Sequence, residues 1–530
     1  MGIPSYFLHI VRRHRNIIKR YNSLSTIDNL YLDSNSIIYD AVRNIDYNNN
    51  NIEFENKLCK LVCDKIIEYI NMLNPQKCIF IAFDGVAPIA KLEQQRNRRY
   101  KSVFQKKITN RLFDPEPSWD TTAITPGTSF MDKLNTYVTN HFNNNKIITA
   151  NKLSNLNIII SGSDKCGEGE HKIYQYIRDN ISYHKNTTTA IYGLDADLIM
   201  LTLNHLHISD KLYLFRETPH FITHIDNTLN KNEVYLLDIR QLGDIISDEL
   251  NNNTSSNLNR IHDYVLLCFF LGNDFMPHFP ALNIRTNAIE YLIDAYKTLF
   301  SNTQKQLTNG QTIYWKNIKQ LITYLADKEY QYLIEEYKIR NKWEARLSRT
   351  TLTKEKEDFD QQLQQIPLKD RRIEKYIDPY SSGWEKRYYK QLFAIDIDDK
   401  RRQEICTNYL EGLEWTIKYY TTGCANWRWH YKYDYAPLLA DLEKYVPYFD
   451  VEFIKPSPVD PVHPYVQLSY VLPRDSLNLL PKSIQEYLLS NYSELYRLDC
   501  DFKWAFCKYF WESHVDLPYI DIKQLENNII

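Results

Sequence analysis

The first 300 residues alternate short, wholly apolar runs with stretches whose apolar positions recur at helical spacing. The runs NLYLD (29–33), KCIFIAFD (77–84), NLNIIISG (155–162), TTAIYGLD (188–195) and KLYLF (211–215) read as strands. Patterns near 53–73, 91–107, 129–142 and 170–181 read as the helices between them. Strands that are apolar throughout suit a largely parallel sheet covered by helices on both faces, an α/β class. The run HDYVLLCFFL fits either element by its period and is read as a helix ending in the polar turn GNDFMPHF.

Beyond residue 300 the pattern changes. Residues 312–345 carry a long helical pattern rich in Tyr, Glu and Lys, and TLTKEKEDFDQQLQQIPLKDRR has little apolar face, as a charged helix or linker would. From about 380 the chain is strongly aromatic. The expected organisation is a core over 1–300, a helical, charged connecting segment over 301–379, and a second region over 380–530.

Composition narrows the class. With 43% hydrophobic residues in 530, the chain can bury several large cores. It has no run of about 18 uncharged apolar residues, so no membrane span is expected. Nine cysteines without a CxxC pair favour reduced thiols in a cytoplasmic setting over disulfides or zinc, with a nuclear location left open. Net charge is −2, so any nucleic-acid binding must be local.

Three of the expected strands end in aspartate: Asp33, Asp84 and Asp195, with Asp197 two residues on. Glu168 and Glu170 flank one glycine in CGEGEHKIYQYI, and Asp274 follows the buried run. Each alone is explained by a turn, an N-cap or a solvated helix start. The carboxyl edge of a parallel sheet gathers distant residues, however, and seven converging carboxylates would repel without cations. An oxygen-only set suits Mg²⁺ or Mn²⁺ over zinc, and seven groups are enough for two ions in phosphoryl chemistry.

Directly after Asp84, the stretch Lys91 to Arg111 holds eight Lys or Arg against one acid, Glu93. Lys91, Gln95, Arg98 and Arg99 share a helical face by spacing. In isolation this is a solvated charged surface; beside the carboxylates it reads as a phosphate pocket.

Eight stretches in order resemble the XRN family of 5′-to-3′ exoribonucleases: MGIPSYF, NLYLDSNSIIY, FDGVAPIAKLEQQRNRRY, ITPGTSFM, SGSDKCGEGEHKIYQYIR, YGLDADLIML, FFLGNDFMPHFPAL and NYLEGLEWTIKYYTTGCANWRWHYKYDYAPLLADL. The resemblance implies a PIN-like, flap-nuclease-like α/β core closed over by a second region rich in helices and aromatics. It implies that Asp33, Asp84, Glu168, Glu170, Asp195, Asp197 and Asp274 form an acidic metal site, and that Lys91, Gln95, Arg98 and Arg99 hold a 5′-terminal monophosphate. The implied reaction is processive hydrolysis of 5′-monophosphorylated single-stranded RNA to nucleoside 5′-monophosphates by a monomer.

The chain also departs from the family's pattern. Tyr39 stands where the family has a histidine, leaving an aromatic to stack on the first base. Trp427 and Trp429 match the second region's tryptophans, each readable as a stacking wall or as core packing. His171 and Lys172 are expected to order their loop by hydrogen bonding. The sequence shows neither the family's zinc knuckle nor its long C-terminal extension, so the expectation is a catalytic core. Two rivals stand beside this reading: a flap-type DNA endonuclease, disfavoured because the segment after Asp274 lacks the glycines of a helix–hairpin–helix, and a non-catalytic RNA-binding scaffold.

Overall fold

A computed structural model of the protein describes residues 3, 5–23, 26–114, 117–144, 153–193, 195–217, 229–230, 233–251, 259–347, 356–457 and 459–530. Seven strands form one sheet: β1 (Ile18–Arg20), β2 (Asn29–Asp33), β3 (Cys78–Ala82), β4 (Asn157–Ser161), β5 (Thr189–Tyr192), β6 (Leu212–Phe215) and β7 (Tyr235–Asp238). Their order is β1-β7-β6-β5-β2-β3-β4. The five central and far strands, β6-β5-β2-β3-β4, run parallel, and β7 and β1 extend the other side antiparallel. All five strands expected from the apolar runs are present. The two strands that add the antiparallel pairings, β1 and β7, were not anticipated.

Alternate strand residues enter two different cores, as a pleated sheet requires. Tyr31, Phe80, Ile191, Leu214 and Leu237 face one. Leu30, Leu32, Ile79, Ile81, Tyr192 and Leu236 face the other, against helices Asn51–Leu73 and Ser129–Phe142. This explains why the strands carry no polar alternation.

The first core does not stop at residue 300. It continues through Trp315, Leu325 and Tyr337 of helix Trp315–Leu347, through Tyr409, Leu413 and Trp415 of helix Asp399–Thr421, and on to Phe506. The charged stretch after residue 350 is helical over Lys356–Gln364 and Ile366–Lys369, while residues 351–355 lie outside the described part. A third core packs Val86, Ile89 and Leu92, at the start of the basic helix Ile89–Leu112, against Val466, Val471 and Leu488 near the C-terminus. Among the described residues, no helix is long and apolar enough to cross a membrane.

A buried ion network fastens the long helix. Arg340 is fully buried and donates to Glu374 at 3.0 and 2.6 Å and to the Cys507 carbonyl at 2.8 Å. Arg371 adds a second contact to Glu374 at 2.5 Å. Together, Arg340 and Arg371 hold the Glu374 carboxyl below its ordinary range even though burial works against them. Removing one partner strands buried charge, so Arg340→Met is expected to cost about 3–5 kcal/mol, measurable by urea unfolding.

Candidate active site

The site lies at the carboxyl edge of β5, β2 and β3, where adjacent parallel strands release their chain in one direction. Asp33 is the last residue of β2, Asp84 follows β3 by two residues, and Asp195 follows β5 by three. Two helices then begin at the same edge. Glu168 is the N-cap of helix Gly169–Asp179 with Glu170 in its first turn, and Asp197 opens helix Asp197–Asn204. Helix N-termini carry partial positive charge, which offsets part of the repulsion among these acids.

Backbone contacts hold the loops together. Gly85 N–H donates to the Gly167 carbonyl and Gly167 N–H to the Val86 carbonyl, at 2.9 and 2.8 Å. The Gly169 N–H donates to Asp84 Oδ1 at 2.7 Å, and Asn35 Nδ2 donates to Asp84 Oδ2 at 2.5 Å. The glycine between the two glutamates is required by space, since a Cβ there would stand 2.5 Å from Asp33 Oδ1.

The seven carboxylates are brought together. Asp33, Glu168, Glu170, Asp197 and Asp274 are buried, and Asp84 and Asp195 are half-buried. Burial, then Asp84, Asp195 and Glu168, push the Asp33 carboxyl well above its usual range. Burial and then Glu168, Asp197, Asp33 and Asp195 do the same to Glu170. Burial and the Asp274 charge push Asp197 up to about 7. Mutual perturbation of this kind requires proximity.

Lys91 meets the cluster directly. Its ammonium lies 2.6 Å from Glu168 and 2.5 Å from Asp274, while Gln94 donates to the other Asp274 oxygen at 3.0 Å. Burial opposes the charged form of both Lys91 and Asp274, but their pairing prevails: the lysine is held well above its ordinary range and the aspartate well below. Lys91 therefore acts within the acidic cluster, a position its helical spacing alone did not give.

The remaining cationic residues divide along the helix. Arg99 is buried and donates to Thr125 Oγ1 at 2.7 Å and to the Gln95 carbonyl at 3.3 Å. No carboxylate lies at ion-pair distance from it among the described residues. Burial, then neighbouring Arg98, bring its guanidinium down to about 10. A buried guanidinium without its anion is a ready phosphate seat. Arg98 is exposed, lines a cleft with Gln94, Asn97 and Lys101, and acts electrostatically on both Arg99 and Asp274.

The second region reaches the site through aromatic rings. Trp429 stacks on Trp415 at 5.2 Å, Trp415 on Tyr419 at 4.8 Å, and Tyr419 on His171 at 3.7 Å. Tyr419 also donates to Glu168 Oε1 at 3.0 Å. Trp429 is thus a core ring, its indole N–H bonded to Glu411 at 3.1 Å, which removes it as a stacking wall. Trp427 remains partly exposed beside Gly167, and Tyr39 is partly buried within the field of Arg99.

Lys172 orders its loop as expected, donating to the Phe83 and Gly162 carbonyls at 2.7 and 2.8 Å. His171 does not. Its ring nitrogens are buried without a hydrogen-bond partner, and it serves as a flat surface for Tyr419. Burial, then Arg178 and Lys91, hold it well below its ordinary pKa, so it is neutral. Tyr419 was missed because EWTIKYY reads as helix core. Tyr419→Leu, which loses both stack and hydroxyl, is expected to cost about 2–4 kcal/mol in urea unfolding.

Two family profiles cover most of the chain. The XRN 5'-3' exonuclease N-terminus matches residues 1–218, and the Xrn1 helical domain matches 255–378 and 369–529. The chain belongs to the XRN family. Its curated relatives include 5'-3' exoribonuclease 1 of Homo sapiens, 29% identical over 99% of this chain and 34% of that protein. They also include 5'-3' exoribonuclease 2 of Debaryomyces hansenii, 26% identical over 99% of this chain and 69% of that protein, and the same enzyme of Arabidopsis thaliana, 27% identical over 99% and 66%. The chain thus spans from a third to about two thirds of the length of these relatives. Family membership, the α/β fold and the aromatic second region agree with what the eight motifs implied. Among solved structures, the catalytic core of Rad2 in complex with DNA substrate covers 63% of this chain at a TM-score of 0.31 and 12% identity, an overlap too slight to carry weight.

Proposed function

We propose that this XRN-family chain is a processive 5′-to-3′ exoribonuclease that hydrolyses 5′-monophosphorylated single-stranded RNA to nucleoside 5′-monophosphates. One observation carries the reading: seven carboxylates crowd one sheet edge while, on the adjoining helix, Arg99 lies buried without an anion. The first arrangement suits cations and the second suits a terminal phosphate.

The donor set fits two Mg²⁺ or Mn²⁺ ions. It is all oxygen, and Asp33 Oδ1 and Asp197 Oδ1 are buried without a hydrogen-bond partner. Among the described residues no three acidic, cysteine or histidine side chains form a ready-made metal cluster. The Lys91 ammonium occupies part of the charge balance between Glu168 and Asp274. Asp33, Asp84, Glu168, Glu170, Asp195, Asp197 and Asp274 would hold the ions, which when bound supply water activation and stabilise the leaving oxygen.

The chain's own residues do the rest. Arg99, kept in place by Thr125 and Gln95, seats the 5′-phosphate, with Arg98 adding charge from the exposed side. Tyr39 and Trp427 offer ring faces for the terminal bases. Lys91 fixes Glu168 and Asp274, and Tyr419 fixes Glu168 from the opposite side. Hydrolysis one nucleotide in regenerates a 5′-phosphate, so the shortened RNA refits the same seat. We read the protein as a monomer acting in the cytoplasm, organised as a core over 1–300, a connecting segment over 301–379 and a closing region over 380–530.

The test uses RNA labelled at the 5′ end, with Mg²⁺. Label released as a mononucleotide from the first turnover supports the reading. Internal fragments, or loss from the 3′ end, overturn it in favour of an endonuclease; binding without cleavage points to a scaffold.

A further inference from the structure

The stretch FCKYFWE, residues 506–512, splits its side chains between interior and surface. Phe506 and Phe510 are buried, whereas Lys508, Tyr509 and Trp511 stay partly exposed. The backbone between them is fixed by buried charge. Arg340 donates to the Cys507 carbonyl at 2.8 Å, the Phe506 N–H donates to Glu374 at 2.9 Å, and the Lys508 N–H donates to Glu512 at 2.7 Å. Arg285 pairs with the same Glu512. The short turn Phe510–Glu512 lays the Tyr509 and Trp511 rings 14° from parallel, with centres 6.2 Å apart.

Cations alternate with rings along this surface. The Lys508 ammonium lies 4.7 Å from the ring centre of Trp343, a partly exposed residue of the long helix, and 5.3 Å from that of Tyr509. The Arg285 guanidinium lies 5.5 Å from Tyr509 and 5.9 Å from Trp511. Trp343, Lys508, Tyr509, Arg285 and Trp511 thus form one row. The acids beside it are already engaged, Glu512 by Arg285 and Glu344 by Arg371 and Lys375. The Lys508 ammonium itself pairs with no carboxylate among the described residues. An ammonium without its anion, set between rings, matches the two halves of a nucleotide, phosphate and base. A purely apolar partner would leave that charge unanswered.

We propose that this row is a platform for the single-stranded RNA that trails behind the nucleotides in the active site, with bases against Trp343, Tyr509 and Trp511 and a phosphate at Lys508. The proposal rests on the function given above and adds a stretch of substrate beyond the carboxylates and the phosphate seat. Continuity with the site supports it: Trp511 and Arg285 border the same cleft as Arg98 and Asp274, and the row runs from there to Trp343, outside the cleft. Rings and backbone that are already fixed lose little freedom on binding. RNA held on the platform stays bound while its new 5′ end moves into the seat, which favours processive turnover.

The test measures binding of labelled 5′-monophosphorylated oligoadenylate to the full chain by fluorescence anisotropy, in EDTA so that nothing is cleaved. An RNA of about 16 nucleotides should bind at least about tenfold tighter than a trinucleotide, which ends before the platform. Lys508→Gln should weaken the long RNA about threefold and lower its salt slope by about one, while Lys508→Arg keeps both. Trp343→Leu should weaken the long RNA about tenfold, as the loss of one stacked base does. Tyr509→Leu removes a neighbouring ring, so a folding defect in either ring variant leaves the other to decide. Arg99→Gln should instead weaken both lengths by the same factor. Equal affinity of wild type for the two lengths overturns the proposal, as does long-RNA binding that Lys508→Gln and the folded ring variants leave unchanged. Failure of the phosphate seat would show separately, as both lengths indifferent to Arg99→Gln with the long RNA still sensitive to Lys508→Gln.

Discussion

Replacing Asp195 and Asp197 together by Asn is expected to lower kcat on 5′-monophosphorylated RNA by about 10³-fold or more, with the fold retained. The change removes two ligands from the proposed cation site and leaves volume almost untouched. Asp197→Asn alone should stabilise the metal-free protein at alkaline pH. Asp197 titrates at about 7 when folded because burial and Asp274 oppose its charge, whereas an unfolded aspartate titrates near its ordinary 3.8. The folded state therefore holds more protons between those values, and stability falls as pH rises from about 4 to 7. At pH 8 the penalty from this one group is on the order of 4 kcal/mol. Thermal unfolding in EDTA should accordingly show wild type less stable at pH 8 than at pH 5.5. Asp197→Asn should flatten that slope, and added Mg²⁺ should restore wild type at pH 8 but not the variant. Undiminished Mg²⁺-dependent turnover in the folded double variant would remove the assigned site.

Arg99→Gln should cost about 10²-fold in kcat/KM on 5′-monophosphorylated RNA and little on RNA with a 5′-hydroxyl, so the preference between the two ends collapses. The size follows from losing a charge-assisted bidentate contact in a buried setting. Because Arg99 donates to Thr125 and Gln95 and pairs with no carboxylate among the described residues, its removal strands no opposite charge, and the melting temperature should hardly move. Wild type should also degrade 5′-triphosphorylated RNA far more slowly than 5′-monophosphorylated RNA. Equal rates on those two substrates would rule the phosphate seat out.

Much of this architecture is legible in the chain because the same physics writes both. A strand buried on two faces must be apolar throughout, so β2 to β6 stand out, and Asp33, Asp84 and Asp195 stand out at their ends. The GEGE pair is legible for a related reason: only glycine fits against Asp33. What was hidden depends on tertiary pairing. Helical spacing put Lys91 with the arginines, but its ammonium turns toward Glu168 and Asp274, contacts that lie far away in sequence. Trp427 and Trp429 look alike as letters, yet one meets Gly167 and the other disappears behind Trp415. His171 reads as a hydrogen-bonding residue and is in fact a stacking surface, since no local pattern reports which ring will lie across it.

The ring column that runs from Trp429 to His171 has a consequence for how the molecule comes into being. Every acidic group of the site has been synthesised by residue 274, but the tyrosine that braces Glu168 arrives 251 positions after that glutamate. A chain still emerging from the ribosome, or cut short before residue 419, carries the acids without the brace that sets them.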